Sequence, residues 1–326
     1  MLKRLLFIAI ILSLIVVVLG AYTRLSDAGL GCPDWPGCYG QLVVPDIAPD
    51  EYSRPLESAK AWKEMIHRYA ASSLGLVILV IFFMSLKNNS PRQQSLALPG
   101  ALVVVVLLQG LLGMLTVTEL VHPGIVSLHL VGGFTTAVLL VWLTLNQYPS
   151  TSFIPQVSAR HKYFLVLALV LLTIQIVLGG WTSSNYAAVS CGTDFPKCQG
   201  QWWPNMDFLS AFYWGPLGVD YEYGVLDNPA RTAIQMLHRI GALTVSIMSL
   251  ILVYMYRGYV HLRPALWLVI SLLLAQVCLG ILNVTMSLPI VVAALHNAVA
   301  LMLLLSLVSL AHKAFNNTDT LYLTKV

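Results

Sequence analysis

The chain has 326 residues, of which 58% are hydrophobic and only 10% charged, and its mean hydropathy is +0.78. A water-soluble domain carries about 25% charged residues, so a soluble globular fold is excluded. The formal net charge of +4 gives no basis for a nucleic-acid partner, and the placement of the charges says more than their sum.

A membrane-crossing helix needs roughly 20 mostly apolar residues. Eight segments meet that need, near 5–23, 64–86, 97–118, 126–147, 162–182, 231–255, 264–285 and 290–312. Backbone polar groups in lipid must pair within their own segment, so the expected fold is all-α and integral to the membrane. The first segment follows Lys3 and Arg4, which is also how a cleaved secretory leader begins. Its counterpart in mid-chain favours a retained helix. Only two connections are long, 24–63 and 183–230.

Lysine and arginine collect on the inner side of a membrane. With both termini inside, the inner segments hold Lys3, Arg4, Lys87, Arg92, Arg160, Lys162, Arg257, Arg263, Lys313 and Lys325, against one acid, Asp319. Both long connections then face outward with four of the five cysteines. The expected setting is a bacterial inner membrane, crossed several times, with both termini cytoplasmic and membrane lipid around the helices.

The halves of the chain align. "LGAYTRLSDAGLGCPDWPGC" at Leu19–Cys38 matches "LGGWTSSNYAAVSCGTDFPKC" at Leu178–Cys198, and "EMIHR" at Glu64–Arg68 matches "QMLHR" at Gln235–Arg239. "QGLLGMLTVT" from Gln109 matches "QVCLGILNVT" from Gln276, and "SLHLVGG" around His129 matches "ALHNAVA" around His296. Each unit has four helices, and an even number gives both units the same orientation. The expected architecture is therefore two tandem four-helix bundles related by a pseudo-two-fold axis along the membrane normal. Residues 1–148 form the N-terminal unit, 149–161 an inner linker rich in proline and serine, and 162–326 the C-terminal unit.

His67, His129, His238 and His296 lie within apolar helices, two per unit, each within about two turns of the outer end of its apolar run. Intramembrane ionisable residues are expensive and point to function. A single histidine could instead bond a neighbouring carbonyl. Two pairs at matching depth in a repeat suit two imidazoles ligating a planar iron porphyrin from both faces. Zinc or copper would want further Cys, His or carboxylate ligands. His122, His161, His261 and His312 fall at helix ends or loops and receive no ligand role. Arg68 and Arg239 follow the histidines of the second helices; they suit heme propionates or snorkelling to lipid phosphate. Gln109 and Gln276, with Gly113 and Gly280, recur on the third helices, where glycine allows close packing.

Cys32 and Cys38 share one outer loop, and Cys191 and Cys198 the other. One pair per loop in an oxidising compartment suggests one disulfide in each. A four-cysteine zinc site is the alternative, although neither pair has the C-x₂₋₄-C spacing. Cys278, in a helix, reads as packing. Glu64 stands three residues before His67 and on the same helix face, whereas its counterpart is Gln235. Only glutamate ionises, so the two units are not equivalent. Either Glu64 serves a reactive site, or it merely favours the dipole at a helix N-terminus.

Eight helices in two units, four membrane histidines, "GAYTRLSDAGLGCPDWPGC" and "EMIHRYAAS" together closely resemble the heme A synthase family, over essentially the whole chain. The resemblance implies conversion of heme O to heme A, oxidising a porphyrin methyl to a formyl group by two hydroxylations and loss of water from a gem-diol. It implies that His238 and His296 hold a heme b cofactor, that His67 and His129 serve the substrate heme, and that Glu64 is catalytic. It also implies a heme O synthase as supplier, cytochrome oxidase assembly as consumer, and an electron donor. A di-heme b electron-transfer protein is the rival; it accounts for the four histidines but not for the Glu64/Gln235 difference. A transporter with parallel repeats would require broken helices at mid-membrane.

Overall fold

The structure, a computed structural model, describes residues 1–87, 95–148 and 157–315. Long runs of Leu, Val, Ile and Ala without interior proline form eight membrane-length helices. These are α1 (Leu2–Leu25), α2 (Ser58–Leu86), α3 (Ala97–Thr118), α4 (Pro123–Asn146), α5 (Ala159–Ser184), α7 (Asn228–Tyr256), α8 (Arg263–Thr285) and α9 (Ile290–Phe315). A four-residue helix, α6 (Phe208–Ala211), sits in the second long connection, started by the Asp207 carboxylate, which accepts the N–H groups of Leu209 and Ser210. Prolines occupy the first turns of α4, α7 and α8, where the missing N–H would be unpaired in any case. Among the described residues only two isolated β-bridges occur, Cys38 with Gln41 and Cys198 with Gln201.

In the first half, α1 packs on α2 and α4, and α3 on α2 and α4; in the second, α5 packs on α7 and α9, and α8 on α7 and α9. Across the halves, α4 meets α5 and α9, and α1 meets α9. The largest buried cluster runs through that junction, with Phe134 and Ala137 of α4 packed among Leu165, Leu172, Leu252 and Leu307. Outward-facing Phe7, Leu76, Leu107, Leu243 and Trp267 are mostly exposed. Water would reject so apolar a surface, and hydrocarbon accepts it.

Several helices start about one turn earlier than the sequence expectation, and one much earlier. The second helix starts at Ser58 rather than near 64, and the sixth span, α7, at Asn228. Their polar first turns, with Lys60 and Lys63 in α2, carry no apolar signal yet continue the same helix outward. His67 and His238 therefore lie about two and a half turns below their helix starts, deeper than the apolar runs suggested. Glu64 likewise lies beyond the first turn, where the terminal dipole has faded, so the dipole explanation loses its ground. Of the expected linker, residues 149–156 lie outside the described residues, and Ala159–His161 already belong to α5.

The two long connections tie the halves together. Arg24 donates to the Ser183 carbonyl (2.6 Å) and lies 4.1 Å over the Tyr186 ring, while the Tyr186 hydroxyl donates to Asp27 (2.8 Å). Arg54 donates to the Leu30 carbonyl (3.1 Å) and pairs with Glu222. Gly218 N–H reaches Glu119 (3.0 Å) and Tyr221 N–H the Leu120 carbonyl (3.1 Å).

Candidate functional site

The four membrane histidines each lie against a glycine on a neighbouring helix. A β-carbon at Gly20 would come within 2.9 Å of the His67 ring, at Gly113 within 3.4 Å of His129, and at Gly179 and Gly280 within 3.2 Å of His238 and His296. The glycines thus make room for the imidazoles. Gly113 and Gly280 were legible as close-packing residues. Gly20 and Gly179 were not singled out, although both stand in the aligned "LGAYT" and "LGGWT".

His67 and His129 face one another across the first half, with ring centroids 6.4 Å apart and planes at 85°. Metal–imidazole bonds run about 2 Å, so one metal ion with an imidazole on each side takes up that separation. Nδ1 of His67, of His129 and of His296 is buried without a hydrogen-bond partner. Buried polar atoms left unpaired ask for an explanation, and a ligand that closes the site supplies one. The donor set, two neutral imidazoles and nothing else, fits a porphyrin iron, whose other four positions are already filled. Among the described residues no group of three or more His, Cys, Asp or Glu could hold a bare metal ion.

The cysteines pair within each loop, Cys32 with Cys38 and Cys191 with Cys198, and the zinc alternative falls away. The two loops share a plan that the first cysteines, at different spacings, conceal. Read from the second cysteine, Asp34-Trp35-Pro36-Gly37-Cys38 aligns with Asp194-Phe195-Pro196-Lys197-Cys198. Asp34 accepts the N–H groups of Tyr39 (2.6 Å) and Gly40 (2.8 Å), and Asp194 that of Gly200 (2.6 Å). Cys38 N–H bonds the Gln41 carbonyl, and Cys198 N–H the Gln201 carbonyl. Burial pushes the Tyr39 hydroxyl pKa up, keeping it a donor to the carbonyls of Arg54 (3.2 Å) and Pro55 (3.0 Å).

Arg68 and Arg239 clamp these loops. Arg68 donates to the carbonyls of Asp34 (3.0 Å), Pro36 (3.2 Å) and Gly37. Arg239 donates to those of Asp194 (3.0 Å), Lys197 (2.9 Å) and Pro196 (3.4 Å). Neither the propionate nor the lipid reading anticipated this task. Each arginine directly follows a membrane histidine, so each loop is fastened one residue from a candidate ligand.

Glu64 is 4% exposed; it accepts the Cys32 N–H (2.9 Å) and pairs with Arg68 (2.5 Å) one turn on. Gln235 is equally buried, so the halves differ in charge at this position and not in exposure. Cys278, read as packing, is instead on the exposed face of α8.

Residues 3–308 match the family model described as COX15-CtaA, cytochrome oxidase assembly protein. A relative from Shewanella oneidensis, named heme A synthase, is 44% identical over 97% of both chains. Relatives of the same name from Neorickettsia sennetsu (27% identical; 91% of this chain, 94% of the relative) and Alkalihalophilus pseudofirmus (26%; 81% of each) also match. The eight apolar helices, the two fastened outer loops and a match that spans nearly the whole sequence agree: the chain belongs to the COX15-CtaA family of cytochrome oxidase assembly proteins.

Proposed function

We propose that this chain oxidises a methyl group of heme O to the formyl group of heme A, the activity named by its relatives. The observation that carries the reading is the imidazole pair of His67 and His129, 6.4 Å apart, with a buried carboxylate, Glu64, three residues before His67 on the same helix. In this reading the N-terminal unit, 1–148, binds the substrate heme through His67 and His129. The C-terminal unit, 162–326, binds heme b through His238 and His296, and the linker 149–161 joins two bundles related by a pseudo-two-fold axis. A bound heme b supplies one-electron chemistry. Glu64 holds a negative charge near the substrate pocket, where it can stabilise positive charge at the reacting methyl or take the proton released as the diol loses water. Arg68 and Arg239 have their outer donors in the loops; a propionate contact would use what they leave free. A heme O synthase would supply the substrate, cytochrome oxidase assembly would take the product, and an electron donor would complete the cycle.

Pigment analysis of the purified protein is the test. Heme O or heme A alongside heme b is expected. Heme b alone would favour the di-heme electron carrier. A transporter is disfavoured already, because each of the eight spans is one continuous helix.

Two further outcomes follow from this reading. Reporter fusions within 87–95 should be cytoplasmic and fusions within the two long connections external; an external reporter at 87–95 would reverse the topology. Replacing Cys32 and Cys38 by alanine should lower heme A output much more than the amount of protein in the membrane. A 15-residue ring is worth about 3 kcal/mol, and shorter rings less. These rings span separations of only 6 and 7, and Asp34 and Arg68 still hold the loop. Quantitative blotting of membranes beside heme extraction separates the two effects; wholesale loss of protein would contradict the expectation.

A further inference from the structure

The two histidine pairs differ in what supports them. Gln175 on α5 places Nε2 3.0 Å from Nδ1 of His238 and donates from the same atom to the His238 carbonyl (2.9 Å). Gln276 on α8 brings Nε2 within 3.2 Å of Nε2 of His296. In the N-terminal pair, among the described residues, no glutamine amide bonds either ring; His67 meets the backbone of Val16 instead, and Nδ1 of His129, like that of His296, is buried without a partner.

The difference is built into the backbone. A β-carbon at Gly241 would overlap Oε1 of Gln175, so the amide can lie there only because residue 241 has no side chain. Aligning the halves on "LGAYT"/"LGGWT" and on the two "HR" motifs puts Val16 opposite Gln175 and Ala70 opposite Gly241. The glutamine and the glycine that admits it are exchanged together. Gln109, the counterpart of Gln276, is turned aside: its amide fills the space that a β-carbon at Gly132 would take. Position 132 aligns with Val299, which denies Gln276 the same refuge.

An imidazole on a metal is held best when its second nitrogen is engaged by a neighbour, which fixes tautomer and ring angle. Gln175 engages Nδ1 of His238 and leaves Nε2 for the metal. Its own Oε1 is buried without a partner. Half a turn of the amide would present an acceptor to the Nδ1–H of a ligating ring, in exchange for the bond to the His238 carbonyl.

We propose that Gln175, admitted by Gly241, is a positioning residue that locks His238 as an axial ligand and makes the C-terminal pair the site that retains its heme. The N-terminal pair lacks this side-chain lock and is free to release one. The proposal rests on the reading of His238 and His296 as the heme b site.

The test uses the full-length protein purified with its heme b. Two readouts other than activity are taken: the rate at which heme b passes to excess apomyoglobin, and the midpoint potential of the bound heme. Gln175→Val, which installs the residue of the other half, should speed transfer about ten-fold or more, the usual scale for losing an outer partner of a metal ligand, and should shift the potential. Gly241→Ala should do the same with Gln175 still present. The double variant should be no worse than either single, because the two act on one contact. Unchanged transfer and potential in Gln175→Val, in a protein that loses heme b on His238→Ala, would overturn the proposal and leave the site assignment standing. Independent, additive losses from the two substitutions would also overturn it. Heme b that survives His238→Ala and disappears in His67→Ala would remove the assignment and the proposal together.

Discussion

His238→Ala is expected to remove most of the heme b absorbance from the purified protein while the amount of protein in the membrane stays near normal. His67→Ala is expected to do the reverse, keeping heme b and abolishing heme A. A pocket that processes a substrate must let its product go, whereas a pocket for a resident group need not. The supports agree with that division, since the His238 ring is held by the Gln175 side chain, whereas Val16 stands at the equivalent position beside His67. Losing even an outer partner of a metal ligand costs about 10–100-fold in affinity, and losing the ligand itself costs more. Each ring packs against a glycine, so truncation leaves a local gap and not a broken helix. Reduced-minus-oxidised spectra and extracted pigments of the two variants read the result. Loss of heme b on His67→Ala instead would exchange the roles of the halves.

Glu64→Gln should leave membrane level and heme b near normal and lower heme A formation by about a hundred-fold or more, the lower end of what general acid–base groups contribute. Heme O or a hydroxylated intermediate should accumulate. The fold's tolerance is argued from its own second half. Gln235 stands at the equivalent buried position, and beside it Arg239 still holds three loop carbonyls. A glutamine at 64 can still accept the Cys32 N–H, and Arg68 keeps its bonds to Asp34, Pro36 and Gly37. What is lost is the negative charge. Heme A output unchanged by Glu64→Gln would falsify the catalytic role and leave Glu64 as a loop anchor.

The spans were legible because lipid imposes a length and a composition that few other settings demand. The disulfide pairs were legible because each loop contains just two cysteines. The polar starts of α2 and α7 were not, since Ser58–Lys63 and Asn228–Ala230 carry no apolar run even though they continue a helix. Nor was the clamp by Arg68 and Arg239, because a carbonyl acceptor leaves no mark on residue type. Gln175 went unremarked for a related reason. Its repeat partner is Val16, and a repeat marks residues that recur, not one whose importance lies in not recurring. Gly241 opposite Ala70 was the signal that could have found it.

The ties between the outer loops bear on the order in which the protein is made. Chains emerge and fold from the N-terminus, yet Arg24, Asp27 and Arg54 find their partners at Ser183, Tyr186 and Glu222. While the first four helices are in the membrane and the fifth is still to come, Arg24 has Asp27 and Arg54 has the Leu30 carbonyl, but their ties to the second half are unmade. The mouth of the first unit is thus completed only by residues synthesised well after it. A ribosome stalled near residue 150 would leave a first unit with its histidines in place and its outer rim unfastened. The contacts that join the two halves at this end thus wait for the second long connection, 183–230, to be made.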